Sequence, residues 1–185
     1  MTWDNAIRNF SIQEIYRSCS LENCNKLPEN LIDFGKRWIK HPRRPSLYIQ
    51  GNTGSGKTYF STCLFRALLE NYYNWIIFVR SDDLDFELLN AIENKQEKSI
   101  LQKYCEVPAL FIDDLGVERP SDRVIRQYYS IIDKRVGDGL LTVITSNISK
   151  KDLPLGDRTV SRLEHFLSIE FPKKDLRKTL EILCV

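Results

Sequence analysis

Short apolar runs alternate with longer amphipathic or polar stretches along most of the chain. Five of these runs predict buried strands, at residues 47–50, 75–79, 109–112, 140–144 and 168–171. The spacing of apolar residues between them predicts helices at 58–70, 82–104 (in one piece or two), 121–136 and 158–166. Strands that are apolar on both faces and alternate with helices are typical of a parallel sheet covered by helices on both sides. We therefore predict an α/β fold that binds its ligands at the carboxyl ends of the strands.

The first 45 residues differ from the rest of the chain. They are polar and mixed, with predicted helices at 7–16 and 29–40, and they end in the basic, proline-containing stretch 41–45. We predict a short N-terminal extension over residues 1–45 and one α/β domain over residues 46–185. A chain of 185 residues has room for one domain of ordinary size.

One segment fits the phosphate-binding pattern GxxxxGK[ST]: Gly51-Asn52-Thr53-Gly54-Ser55-Gly56-Lys57-Thr58. It follows a predicted strand and opens a predicted helix, which is the setting that phosphate binding requires. Glycines let the backbone wrap a phosphate with its N–H groups pointing inward. Lys57 would then reach the β- and γ-phosphates of ATP, and the Thr58 hydroxyl would ligate Mg²⁺.

Two aspartates follow the apolar strand at 109–112. An apolar strand that ends in an acid, downstream of a phosphate-binding loop, is the Walker B arrangement. Asp113 is predicted to hold Mg²⁺, and Asp114 is predicted to polarise the attacking water as a general base. Many such ATPases have Glu at the second position, so the shorter Asp114 would need a slightly different position of the water.

Three further polar residues are candidates for contact with the γ-phosphate. Asn147 follows the strand at 140–144, where it would orient the phosphate or its water, or else act as a turn or helix-cap residue. Arg158 and Arg162 are four residues apart and share one face of a predicted helix. An arginine that enters a neighbour's ATP site would stabilise the transition state. Two solvated surface arginines are the alternative interpretation.

The net charge of +2 means that any nucleic-acid binding must come from local patches. One basic cluster comprises Lys36, Arg37, Lys40, His41, Arg43 and Arg44, near Trp38 and Tyr48, and a second comprises Lys173, Lys174, Arg177 and Lys178. Each would either contact a phosphate backbone, with aromatic side chains stacking on bases, or form a solvated face. Four other aromatic residues are predicted to pack in the core: Tyr72, Tyr73, Tyr128 and Tyr129.

The sequence also indicates a cytoplasmic protein. It contains neither an apolar stretch long enough for a membrane span nor an apolar signal core near Met1. The five cysteines form no CxxC pair, which favours reduced structural thiols over zinc ligands.

From about residue 46 to residue 177, the chain resembles the AAA+ ATPase domain of bacterial helicase loaders of the DnaC/DnaI type. It is also similar to the related IstB-type transposition helper ATPases. The motifs that carry the resemblance are GNTGSGKT, LFIDDLGVERPSD, TVITSN and LGDRTVSRLEHF. The first is common to P-loop proteins, whereas the second and the fourth are much more specific.

The resemblance implies a five-stranded parallel sheet in the order 5-1-4-3-2, without a full C-terminal helical lid. It implies the sensor-1 role for Asn147, and for Arg162 the role of an arginine finger acting in trans across a subunit interface, with Arg158 beside it. Arg177 resembles a late arginine with a sensor-2-like role in cis. Segment 81–108 corresponds to a helical segment that helps the family bind single-stranded DNA, although here it carries more acids than lysines.

The resemblance therefore implies an ATP-dependent helicase loader, with ATP and Mg²⁺ as cofactors and a replicative helicase and single-stranded DNA as partners. Head-to-tail self-association, or docking onto a related initiator ATPase, would complete each site, so an isolated subunit would hydrolyse ATP slowly. Residues 1–45 would be a shortened helicase-docking arm. The alternatives are an IstB-like regulator of a DNA transposase and an ATP-sensing adaptor that does not hydrolyse ATP.

Overall fold

A computed structural model describes residues 1–10, 12–24, 27–116 and 120–172 of the chain. Its helices are α1 (Trp3–Asn9), α2 (Glu29–Lys40), α3 (Lys57–Asn71), α4 (Ser81–Glu93), α5 (Glu97–Glu106), α6 (Asp122–Gly137) and α7 (Gly156–Leu163). Its strands are β1 (Leu47–Gln50), β2 (Ile77–Arg80), β3 (Ala109–Leu115), β4 (Leu141–Ser146) and β5 (Leu167–Glu170). Short 3₁₀ turns lie at Glu14–Tyr16 and Lys150–Asp152.

The five strands form one sheet in the order β2-β3-β4-β1-β5, and every neighbouring pair is parallel. Read from the other edge, this is the order 5-1-4-3-2, so the predicted fold is confirmed. β4 lies between β1 and β3. Because all strands run the same way, the segments that follow β1, β3 and β4 meet at one edge of the sheet.

Residues on the two faces of the sheet pack into separate apolar layers. On one face, Leu47 and Ile49 of β1 pack with Phe60 and Phe65 of α3 and with residues of α1 and α2. On the other face, Tyr48 packs with apolar residues of α4, α5, α6 and α7. This alternation along β1 is the two-residue period of a strand that is buried on both sides.

The N-terminal segment packs onto α3. Phe10 contacts Phe65 edge to face, with ring centroids 5.9 Å apart, and Arg66 donates hydrogen bonds to the carbonyl oxygens of Arg17 and Cys19. The helix predicted over 7–16 is wrong. The structure has α1, whose N-cap Thr2 accepts a hydrogen bond from the Asn5 N–H, followed by the separate 3₁₀ turn at Glu14–Tyr16.

No helix within the described residues has the length and apolar character that spanning a membrane would require. In the same part of the chain, no group of three or more His, Cys, Asp or Glu side chains could hold a metal ion.

A fully buried arginine, Arg135 of α6, joins three elements of the fold. Its guanidinium donates hydrogen bonds to the carbonyl oxygens of Tyr104, Val107 and Leu141 at 2.8, 2.8 and 2.6 Å, and to the hydroxyl of Thr142 at 2.9 Å. Burial lowers the pKa of Arg135 to about 10, so the side chain remains charged at neutral pH. Arg135 therefore ties α6 to the end of α5 and to the start of β4.

We expect Arg135→Met to destabilise the protein by at least about 3 kcal/mol, because it removes the buried donor of hydrogen bonds to three carbonyl oxygens. Urea unfolding followed by circular dichroism measures this change. The exposed neighbour Lys134 is the matched control, since Lys134→Met removes the same charge and leaves these carbonyls paired. Equal unfolding midpoints for the two variants would contradict the structural role of Arg135.

Candidate functional site

Three segments meet at the carboxyl edge of the sheet. The glycine-rich loop 51–56 follows β1, two aspartates lie near the end of β3, and Asn147 follows β4. The backbone N–H of Gly51 donates a hydrogen bond to the carbonyl of Ser146 at 3.2 Å, which joins the loop to β4. The structure thus brings together the glycine-rich loop, the two aspartates and Asn147 that the sequence predicts for a nucleotide site.

The glycine-rich loop adopts backbone conformations that favour glycine. Gly54 has φ 80° and Gly56 has φ 97°, and Gly56 is the N-cap of α3. The loop therefore turns tightly into the positive end of the helix dipole. Ser55 is fully buried here, and within the described residues its hydroxyl has no hydrogen-bond partner. An unpaired buried donor at a helix N-terminus fits a phosphate oxygen.

Lys57 lies at the centre of the site and is almost fully buried. Its ammonium donates hydrogen bonds to the carbonyl oxygens of Gly51 and Asn52, at 2.8 and 3.0 Å, and to Oδ1 of Asn147 at 2.8 Å. Lys57 therefore bridges the loop and the end of β4, in a position where a phosphate could replace these oxygens.

Asp113 and Thr58 provide adjacent oxygen atoms. The hydroxyl of Thr58 donates to Oδ2 of Asp113 at 3.1 Å, and the hydroxyl of Thr145 donates to Oδ1 at 2.6 Å. Burial raises the pKa of Asp113, and the hydrogen bonds from Thr145 and Thr58 oppose that rise. A carboxylate next to a hydroxyl is an oxygen-donor set that suits Mg²⁺.

A β-bulge places Asp114 beside Asp113. Ile112 pairs with Ile144 and Leu115 pairs with Ser146, so two residues of β3 lie opposite Thr145 alone. Asp114 has φ 61°, which is left-handed and uncommon for a residue other than glycine. The bulge breaks the alternation of side chains, and both carboxylates consequently contact residues at the end of β4.

Asn147 connects Lys57 to Asp114. Its Nδ2 donates to Oδ1 of Asp114 at 2.7 Å, while its Oδ1 accepts from Lys57. The N-cap of the following 3₁₀ turn is Ser149. The side chain of Asn147 thus lies within the candidate site, beside the group predicted to polarise water.

Thr145 is a residue of the site that the sequence analysis did not single out. Its hydroxyl donates to Asp113 and accepts from the backbone N–H of Asp114 at 2.8 Å, so it fixes the bulge and one carboxylate together. The sequence offered one signal for this role, a hydroxyl residue on β4, the strand next to the one that carries the paired aspartates. The register of β3 against β4 was needed to interpret it.

The arginines of α7 contact α6. Arg162 donates to Oδ1 of Asp133 at 2.5 Å, and the side chain of Arg162 is 41% exposed. The guanidinium of Arg158 lies 4.3 Å from the ring centroid of Tyr129 and donates to its hydroxyl. These contacts place both arginines on the outer surface formed by α6 and α7. Arg177 lies outside the described residues.

The two aromatic residues that lie near the first basic cluster in sequence are buried. The indole N–H of Trp38 donates to the Pro45 carbonyl, and the hydroxyl of Tyr48 donates to the Ile148 carbonyl, both at 2.9 Å. Neither ring is therefore available to stack on bases. Tyr72, predicted to pack in the core, is 48% exposed. The second basic cluster lies outside the described residues.

Comparison with known proteins identifies the family. The family model of the bacterial DnaA ATPase domain matches residues 36–170, which is most of the chain. The chromosomal replication initiator protein DnaA of Lactiplantibacillus plantarum is 29% identical over 139 residues, which make up 74% of this chain and 30% of that protein. The chain thus spans about a third of the length of the curated relatives it matches.

Two solved structures share the fold. The replication initiator DnaA bound to AMPPCP and single-stranded DNA has a TM-score of 0.74 at 18% identity, over 89% of this chain and 55% of that chain. The DnaC helicase loader has a TM-score of 0.75 at 23% identity, over 86% of this chain and all of that chain. The resemblance to AAA+ ATPases of replication is confirmed, and the chain belongs to the family of the bacterial DnaA ATPase domain.

Proposed function

We propose that this site binds ATP with Mg²⁺ and hydrolyses the ATP, and that the chain uses its nucleotide state to help load a replicative helicase onto single-stranded DNA. The observation that carries the proposal is the hydrogen-bonded series Lys57–Asn147–Asp114, which lies beside Asp113 and Thr58 at the carboxyl edge of the sheet. The DnaA structure bound to AMPPCP supports nucleotide binding in a domain of this fold.

The residues at the loop would hold the triphosphate. Residues Gly51, Asn52, Thr53, Gly54, Ser55 and Gly56 would surround the phosphates, and the ammonium of Lys57 would exchange its carbonyl oxygens for phosphate oxygens. Thr58 and Asp113 would hold Mg²⁺, which when bound neutralises charge that develops on the phosphates.

Asp114 and Asn147 would act on the attacking water. Asp114 would accept a proton from the water, and Asn147 would hold the carboxylate in place through its 2.7 Å hydrogen bond. Arg162 would reach the ATP site of a neighbouring subunit, with Arg158 beside it, while Arg177 would act in cis. A head-to-tail assembly, with itself or with a related initiator ATPase, would complete each site and accelerate hydrolysis.

The similar fold of the DnaC loader and the DnaA structure with single-stranded DNA support a role at the start of DNA replication. Residues 1–45 are the proposed helicase-docking arm. The described part of this arm packs on α3, the helix that follows the glycine-rich loop, and this contact would let the arm respond to the nucleotide.

We expect the ATP-bound protein to retain the replicative helicase of its own cell in a pull-down assay, and the ADP-bound protein to retain much less. Lys57→Ala should abolish the difference between the two nucleotides, because it removes the ammonium that contacts phosphate. Deletion of residues 1–24 tests the docking arm, with ATP binding as the check that the domain still folds. The absence of a complex while ATP binding is intact would contradict helicase loading. Preferential ATP-driven assembly on duplex DNA would instead support the transposase regulator.

A further inference from the structure

The chain has a strongly basic region that the candidate nucleotide site does not use. Five lysines and arginines lie between residues 36 and 44, and no Asp or Glu occurs from residue 34 to residue 69. Among the described residues, none of the five forms an ion pair with a carboxylate. Their charge is therefore not neutralised within this part of the fold.

These cations are gathered at the end of α2 and in the loop that follows it. Lys40 is the last residue of α2, and Lys40 and Arg43 are exposed. Arg44 donates to the carbonyl of Ile39 at 2.8 Å, and its guanidinium lies 4.1 Å from the ring centroid of Tyr72 at the end of α3. The loop is thus anchored to two helices, which holds the cations beside an aromatic ring.

Two exposed aromatic side chains lie at and just after the end of α3, and the first of them, Tyr72, contacts Arg44 of the basic loop. Tyr72 is 48% exposed and Trp75 is 49% exposed. Only two residues lie between them along the chain, so their Cα atoms lie within about 11 Å of one another. Large aromatic rings that remain half exposed beside cations can stack on the bases of an unpaired strand, while the cations contact its phosphates.

This region lies at the amino edge of the sheet. The basic loop ends just before β1 starts at Leu47, and Trp75 precedes the start of β2 at Ile77. The glycine-rich loop follows the other end of β1, which has four residues and spans about 13 Å. A ligand at the amino edge would therefore leave the ATP site open.

We propose that Lys40, Arg43, Arg44, Tyr72 and Trp75, here called the amino-edge patch, bind single-stranded nucleic acid. Lys40 and Arg43 contact phosphates, and Tyr72 and Trp75 stack on unpaired bases, with Arg44 holding the ring of Tyr72. The amino-edge patch would hold the single strand on which the proposed function acts. The inference rests on the proposed function only for the choice of DNA rather than RNA as that strand.

The test is fluorescence anisotropy of a labelled dT20 strand at several KCl concentrations. We expect Trp75→Ala to weaken binding about tenfold or more, and Trp75→Phe to retain most of the affinity. The double variant Lys40→Ala/Arg43→Ala should lower the slope of log affinity against log salt by about 1.4, since each phosphate contact on a single strand contributes about 0.7. Parallel titrations with rU20 and with duplex DNA show which strand the patch prefers.

Matched control variants distinguish binding at the amino-edge patch from binding at segment 81–108. Lys98→Ala/Lys103→Ala removes the same charge from α5, and Phe86→Ala removes an exposed ring from α4. Both should bind dT20 as the wild type does. If the α5 variant loses affinity while the patch variants keep it, or if Trp75→Ala leaves binding unchanged, the patch is overturned. ATP affinity is measured on every variant and shows whether the fold is intact. Capture of the helicase is measured in a separate assay, so a failure of the proposed function can be distinguished from a failure of the amino-edge patch.

Discussion

Asp114→Asn should keep ATP binding and slow hydrolysis about 10²- to 10⁴-fold. The asparagine can still accept the hydrogen bond from Asn147 and can occupy the same bulge, so the site should keep its shape. What it loses is the carboxylate that would accept the proton of the attacking water, and a general base contributes a factor of that size. Phosphate release at protein concentrations where assembly is demonstrated measures the rate, and titration with a fluorescent nucleotide measures affinity.

Two further variants test the separate roles of Asp114 and Asp113. Asp114→Glu keeps a carboxylate on a longer side chain and should retain more activity than the asparagine variant. Asp113→Asn should make hydrolysis require more Mg²⁺, because Asp113 is placed at the metal rather than at the water. Hydrolysis by the Asp114→Asn variant at the wild-type rate would contradict the assignment of the base. A wild type that binds ATP and releases no phosphate in the assembled state would identify a non-hydrolysing adaptor.

The position of Asp114 shows where sequence reasoning reaches its limit. The glycine-rich loop and the apolar strand before Asp113 are local patterns, and local patterns predicted both. The bulge arises from the register between β3 and β4, which are separated along the chain by the whole of α6. No local pattern records that register, so neither the left-handed backbone of Asp114 nor the role of Thr145 could be predicted.

The aromatic residues illustrate the same limit. Trp38 and Tyr48 are close in sequence to the basic residues, yet each is buried and uses its polar atom within the fold. Tyr72 and Trp75 are far from those residues in sequence, and α3 carries the chain back to them across the sheet. Proximity along the chain therefore did not indicate which aromatic ring contacts the basic residues.

Arg162→Ala should retain ATP affinity and lose hydrolysis about 10³- to 10⁵-fold in the assembled state, as expected when an arginine finger is removed. In the structure, Arg162 pairs with Asp133 of its own chain. Both side chains are about 40% exposed, and ion pairs as exposed as this one contribute little to stability. The triphosphate of an ATP bound to a neighbouring subunit carries more charge than Asp133. It can therefore compete with Asp133 for the guanidinium of Arg162.

The ion pair with Asp133 allows a control experiment. Arg162 could instead affect hydrolysis only by joining α7 to α6 within its own chain. Asp133→Ala removes the same contact and leaves the arginine in place. If Arg162 acts in trans, this variant should hydrolyse ATP at least as fast as the wild type. If the contact within the chain is what matters, Asp133→Ala should be as slow as Arg162→Ala, and that result would contradict the arginine-finger role.

Mixing subunits provides the most direct test of action in trans. Lys57→Ala subunits lack a working ATP site and keep Arg162, whereas Arg162→Ala subunits keep the ATP site and lack the arginine. Each should be inactive alone. In a mixture, the arginine of the first can enter the site of the second, so hydrolysis should rise well above the sum of the separate rates. No rise in a mixture that is shown to co-assemble would mean that Arg162 does not complete the site of a neighbouring subunit.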